Sequence, residues 1–182
     1  MNQNSETKQF EPTERILSSH LRGCGLDLVQ FFSEENEGNL RTSIEGIIIL
    51  SGATIIDKNV KAHYFNPGLT MNYLLAESHF SIHISPQEWE DKSVTLHIAT
   101  CGEIIPIVCL GGALKLLKPR EAEAAYFSFR PVNPEKVRMP EYKEKMHDDF
   151  IKVIPLDYLV RLSRLREDLG RIKGYSVYIV KR

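Results

Sequence analysis

The sequence predicts an α+β fold of two layers, an antiparallel β-sheet with helices on one face. Three observations lead there. Apolar and polar residues alternate over several short segments, the pattern of strands with one buried face. Only a few segments show apolar residues at helical spacing. Turn residues and short polar stretches separate the strands, as in antiparallel sheets layered against helices.

The elements can be taken in order. Residues 1–15 are polar and read as a lead-in, with 1–18 assigned as a flexible N-terminal segment. Gly25–Phe32 is a candidate first strand. Residues 37–51 read as a helix, because Leu40, Ile44, Ile47 and Ile48 share one face. Gly52 stands where a helix C-cap glycine belongs. Ala53–Ile56 and Val60–Phe65 are strand candidates, and Asn66-Pro67-Gly68 is turn chemistry. Met71–Ala76 is a short apolar run. His79–Ile84 alternates, with Phe80, Ile82 and Ile84 opposite His79, Ser81 and His83. Ser85–Lys92 is a polar loop, and Ser93–Thr100 alternates again.

Ile107–Lys118 reads as a second helix, loosened by Gly111-Gly112. Ala124–Arg130 is a further strand candidate. Pro131, Pro134 and Pro140 mark a linker. Residues 141–182 are expected to hold one or two helices, with Leu156, Leu159 and Val160 on one side, and a last strand, Tyr175–Val180. The organisation expected is a lead-in (1–18), one domain (19–130), and a C-terminal extension packed on that domain (131–182), as added core or an oligomer contact.

The composition narrows the function. The chain has 182 residues, 42% hydrophobic and 26% charged, enough to bury a core without disulfides or metals. Its 23 basic and 24 acidic residues balance to −1, which argues against nucleic-acid or membrane-surface binding by bulk charge. Cys24, Cys101 and Cys109 are too few for a disulfide framework and fit a reducing compartment. There is no apolar signal region and no membrane-length apolar stretch, so the expectation is a cytoplasmic protein.

The densest polar cluster is Glu77-Ser78-His79-Phe80-Ser81-Ile82-His83, followed by Thr100-Cys101-Gly102. Taken singly, each residue has a bland explanation: a turn hydroxyl, a surface imidazole, a small apolar filler. One collective reading is a zinc site. His79, His83, His97 and Cys101 spell H-x3-H and H-x3-C. Those pairs lie in alternating strand patterns, would have to converge from two strands, and lack a knuckle glycine near the first pair.

The other collective reading is a resemblance. Leu75-Ala76-Glu77-Ser78-His79-Phe80-Ser81-Ile82-His83 resembles the processing site of the prokaryotic S-adenosylmethionine decarboxylases. The family's Thr-Cys-Gly follows a strand later, as Thr100-Cys101-Gly102 does here, with Pro106 before the next helix. His63-Tyr64-Phe65-Asn66-Pro67-Gly68-Leu69-Thr70 and Ser51-Gly52-Ala53-Thr54 are weaker matches. The resemblance spans about residues 20–120.

The resemblance implies a self-cleaving proenzyme that makes its own pyruvoyl cofactor, with neither pyridoxal phosphate nor metal. Ser78 Oγ would attack the Glu77 carbonyl, exchanging the peptide bond for an ester. His83 would accept the Ser78 α-proton, and elimination would release the Glu77 carboxylate. The dehydroalanine left behind would tautomerise to an imine and be hydrolysed by water, with loss of ammonia, to pyruvoyl, the group that forms a Schiff base with the substrate amine. A histidine titrating near neutrality suits proton acceptance. Cys101 would donate a proton in catalysis, since a free thiol keeps its proton at neutral pH. Cys24 and Cys109 lack this context and read as structural. Phe65, Thr70, Glu88 and Trp89 are candidate substrate-binding residues. The substrate implied is S-adenosylmethionine, decarboxylated to the aminopropyl donor for spermidine, and the assembly implied is a homodimer of cleaved, two-chain protomers.

The sequence departs from the family after His83. Ile84-Ser85-Pro86-Gln87-Glu88-Trp89 stands where Thr-Trp/Tyr-Pro-Glu is usual, and the loop to Cys101 is longer than in the short form. This motivates an alternative, a pyruvoyl-dependent ornithine or arginine decarboxylase on the same fold. A non-catalytic homologue or zinc-binding module is the third possibility.

Overall fold

The computed structural model describes residues 14–25, 34–57, 60, 62–65, 68–85, 92–101, 104, 106–129, 151–166 and 172–182. Eight strands form one sheet: β1 (Glu14–Arg22), β2 (His63–Phe65), β3 (Gly68–Leu75), β4 (Ser78–Ser85), β5 (Ser93–Thr100), β6 (Glu121–Phe129), β7 (Leu159–Arg166) and β8 (Ile172–Lys181). Their spatial order is β2-β3-β4-β5-β1-β6-β8-β7, and every neighbouring pair is antiparallel. Helices α1 (Glu34–Leu50) and α2 (Ile107–Leu117) complete the second layer.

Alternation decides which face is covered. Leu69, Met71, Tyr73, Phe80, Ile82, Ile84, Val94, Leu96 and Ile98 are buried and join one core with Leu40, Ile44 and Ile48 of α1 and Leu110, Leu114 and Leu117 of α2. Burying each such side chain stabilises by about 1.5–3 kcal/mol. The opposite face of β4 presents the exposed His79 and His83 and the half-buried Ser81. Strand β4 is therefore apolar toward the helices and polar on its other side.

Three elements of the first half differ from the sequence reading. The expected strand Gly25–Phe32 lies, apart from Gly25, outside the described residues. The first described strand is β1, whose residues Glu14–Ser18 overlap the expected flexible lead-in. It pairs with both β5 and β6, so its backbone groups are satisfied from two sides. Its alternation is obscured because Ser19 shares the buried side with Leu17 and Leu21. The Ala53–Ile56 segment makes only a single bridge, Ile55 to Leu75. Among the described residues of Val60–Phe65, strand covers His63–Phe65.

The tail differs most. Residues 130–150, including the proline linker, lie outside the described residues. Among the described residues of the tail, helix covers 151–153, and Pro155, which cannot donate to a helix, stands two residues beyond its end. Leu156 is fully exposed in a turn, while Leu159 and Val160 begin β7 rather than a helix. Strand β8 joins the sheet beside β6. Tyr158 donates to the carbonyl of Pro119 at 2.9 Å, tying this region to the end of α2. Helix α2 is unbroken through Gly111-Gly112. A side chain at Gly111 would collide with the Val153 carbonyl, so the glycine permits close packing instead of loosening the helix. Among the described residues no helix is long and apolar enough to cross a membrane.

Candidate active site

The two-residue turn Ala76-Glu77 joins β3 to β4, with Leu75 paired to Ser78. Such tight connections favour positive φ within the turn. Here the positive φ falls on Ser78, at 147°. A side chain beyond glycine resists that conformation, at a cost of about 1–3 kcal/mol. The residue immediately after the Glu77–Ser78 bond is thus held in a disfavoured backbone state.

Neighbouring segments grip the bond. The Glu77 carbonyl oxygen accepts from the Cys101 backbone N–H at 3.0 Å and from the Cys101 thiol at 3.2 Å. On the other side, the Thr54 N–H donates to the Glu77 carboxylate at 2.9 Å, and the Ala76 N–H donates to the Thr54 carbonyl at 2.9 Å. The segment after Cys101 is anchored in turn. The buried Thr100 hydroxyl donates to the Ile104 carbonyl at 3.2 Å, and Arg15 donates to the same oxygen at 3.1 Å.

Ser78 Oγ lies 3.1 Å from His79 Nδ1. The His79 ring stacks on His97 of β5, with centroids 5.2 Å apart and planes 7° from parallel. Burial, and then the neighbouring His79, hold the His97 imidazole below its ordinary pKa. Burial pushes the Cys24 thiol up to about 12 and the Cys109 thiol up to about 11, so both stay protonated within the core.

His83 sits elsewhere. Its Nδ1 is 2.8 Å from Thr70 Oγ1, and its ring stacks on Phe65 with centroids 4.8 Å apart. Gly68 makes that stack possible, because a Cβ there would run into the Phe65 ring and come 2.7 Å from the Ile84 carbonyl. Ser78 and His83 begin and nearly end one strand. At roughly 3.3 Å per residue, five residues separate them by about 16 Å.

The structure therefore brings Glu77, Ser78 and Cys101 together, and separately groups Phe65, Thr70 and His83. Glu88 and Trp89 lie outside the described residues. The four residues of the zinc reading do not converge: His79 stacks on His97, His83 is held by Thr70 and Phe65, and Cys101 faces Glu77. Among the described residues no group of three His, Cys, Asp or Glu comes together around a metal position. Sequence reasoning missed the contact of His79 with Ser78 Oγ and the backbone clamp by Thr54. The adjacency of Ser78 and His79 was a signal for the first; a backbone contact leaves no residue-type signal for the second.

Comparison with known proteins gives a family. A family model described as S-adenosylmethionine decarboxylase matches residues 26–128. S-adenosylmethionine decarboxylase proenzyme 2 of Bacillus anthracis is 38% identical over 74 residues, covering 40% of this chain and 56% of the relative. The protein of the same name from a strain of Bacillus cereus matches at the same identity and coverage. The chain thus spans little more than half the length of these relatives. The crystal structure of the Trypanosoma brucei AdoMetDC-delta26 monomer shares the fold, with a TM-score of 0.57 at 16% identity, over 92% of this chain and 65% of that one. With more than half of its length matched by the family model, the chain belongs to the S-adenosylmethionine decarboxylase family.

Proposed function

We propose that this chain divides itself between Glu77 and Ser78, converts Ser78 to a pyruvoyl group, and decarboxylates S-adenosylmethionine. One observation carries the reading. The Glu77–Ser78 bond joins a strained serine to a carbonyl that already accepts two hydrogen bonds from Cys101.

The arrangement fits the formation of that group. Attack by Ser78 Oγ on the Glu77 carbonyl carbon breaks the bond to the Ser78 nitrogen and leaves an ester. Negative charge gathers on the Glu77 oxygen during attack, where the Cys101 N–H and thiol already point. Preorganised donors at such an oxygen are worth about 10²–10³-fold in rate. Release of the backbone strain at Ser78 favours the same step. Removal of the α-proton then expels the Glu77 carboxylate.

The acceptor for that α-proton comes from a second copy. About 16 Å separates His83 from Ser78 within one chain, so His83 of the partner subunit, oriented by its own threonine and phenylalanine neighbours, serves each Ser78. A homodimer of two-chain protomers follows, with β7 and β8 forming part of the same folding unit as the rest of each protomer. The pyruvoyl group supplies an electron sink for the pair left by loss of CO2, the service pyridoxal phosphate gives other enzymes. Cys101 Sγ lies beside the same bond and holds the proton that is returned to the substrate carbon. Phe65 and Thr70, with Glu88 and Trp89, are assigned to substrate binding. S-adenosylmethionine is the substrate because the Bacillus relatives carry that activity in their names. The product is the aminopropyl donor for spermidine synthesis. Three unpaired cysteines support a reducing, cytoplasmic setting.

Intact-mass measurement tests the reading. The purified protein should give two fragments, the second opening on pyruvoyl, while Ser78→Ala should remain whole at 20.8 kDa. An uncut wild-type chain overturns it. Cys101→Ala, which keeps the backbone donor and loses the thiol, should divide more slowly yet release almost no CO2 once divided. Turnover of ornithine or arginine in place of S-adenosylmethionine would reassign the substrate.

A further inference from the structure

We infer that His79 is the base that takes the Ser78 Oγ proton when the ester forms, with His97 as the residue that positions it. The inference rests on the self-division proposed above and concerns its first step, whereas His83 acts at the second.

Geometry selects His79. Its Nδ1 lies 3.1 Å from Ser78 Oγ, within reach of the proton that must leave. The other groups of the site are engaged elsewhere. His83 is bonded to Thr70 about 16 Å along the strand. Cys101 donates to the Glu77 oxygen and so stabilises negative charge rather than accepting a proton.

The step balances on the atoms present. The Oγ–H proton passes to His79 Nδ1 as Oγ bonds to the Glu77 carbonyl carbon. The carbon–nitrogen bond to Ser78 then breaks, and the proton on His79 passes to the departing Ser78 amine. Nothing is oxidised or reduced, and no co-reactant enters.

His97 explains how the imidazole is held. The rings are nearly parallel and 5.2 Å apart, so His79 cannot swing freely away from Oγ. Because burial keeps His97 neutral, the stacked pair carries one positive charge when His79 accepts the proton, and the neutral ring faces that cation.

The experiment separates this step from the next. In His83→Ala chains the ester should accumulate, and hydroxylamine should cut it, leaving a free Ser78 N-terminus. Adding His79→Ala should slow ester formation by about 10²-fold or more, the usual contribution of a general base. Added imidazole should restore much of the rate, which it would not do for a merely structural residue. His79→Asn, which keeps a polar group beside Oγ, should be equally slow and substitutes if the alanine variant misfolds. His97→Ala should slow the step, and His97→Phe, which restores a flat ring, should recover it.

Ester formation as fast with His79→Ala as without it overturns the assignment, as does a loss that imidazole does not repair. In either case a dividing wild-type chain leaves the proposed function standing. A wild-type chain that never divides removes both.

Discussion

The two sides of β4 make different demands on one strand. Phe80, Ile82 and Ile84 point into the helix-covered core and are at most 2% exposed. His79, Ser81 and His83, one residue out of phase, face the open side. The inner set holds the strand in place, and the outer set is thereby free to be polar. A single period-two pattern thus separates residues whose loss unfolds the protein from residues whose loss should only stop its chemistry.

Substitution on each side should break the strand's two roles apart. Phe80→Ala should lower stability by about 3–5 kcal/mol in chemical denaturation. His83→Ala, on the outer side, should change it by no more than about 0.5 kcal/mol, while intact mass shows no pyruvoyl formed. Equal destabilisation by both would erase the distinction.

Mixing variants sharpens it further. Ser78→Ala chains should stay whole, and His83→Ala chains should stall. Co-refolded, the first supplies His83 to the second, and fragments of the His83→Ala chain should appear. Continued absence of fragments from correctly assembled mixed dimers would place the proton acceptor within one chain.

A smaller effect is expected where the two faces meet the β2–β3 hairpin. Gly68→Ala should cost about 1–3 kcal/mol, because the added methyl meets the Phe65 ring and the Ile84 backbone. Displacing Phe65 from His83 should also slow division, read as the fraction of uncut chain over time.

The smallest effect is on pH dependence. His97 has a folded pKa below its ordinary 6.5, chiefly through burial. The unfolded chain therefore binds this proton more readily, and stability falls as pH drops below about 6.5 until the folded pKa is passed. Urea midpoints for His97→Gln should show a shallower decline between about pH 7 and pH 5 than wild type.

These contrasts also explain what could be read from sequence. The alternation in β4 and β5 and the apolar stripe of α1 are direct records of burial, so those elements and their inner faces were legible. The Glu77–Ser78 bond stood out because glutamate, serine and two histidines crowd an otherwise apolar run. Strand β1 was missed because Ser19 occupies a core position and blurs the period. Leu156, Leu159 and Val160 share a helical spacing, yet Pro155 and pairing with β8 determine their state. Thr54 acts through its backbone, which residue types do not encode. The separation of Ser78 from His83 was legible in principle, since five residues of strand place them far apart, but proximity in the motif concealed it.

The strand order bears on what division would leave behind. Cutting after Glu77 assigns β1, α1, β2 and β3 to one polypeptide and the remaining elements to the other. Strand β1 does not lie at the margin of the sheet; it is inserted between β5 and β6, paired to β6 from Glu14 to Arg22. The shorter polypeptide is therefore interleaved with the longer one like a tongue in a groove. Neither can leave without opening the middle of the sheet, so the halves should co-purify and melt as one. Once separated in denaturant, they should reassemble at a rate set by their concentration, a bimolecular folding problem created by a unimolecular cut.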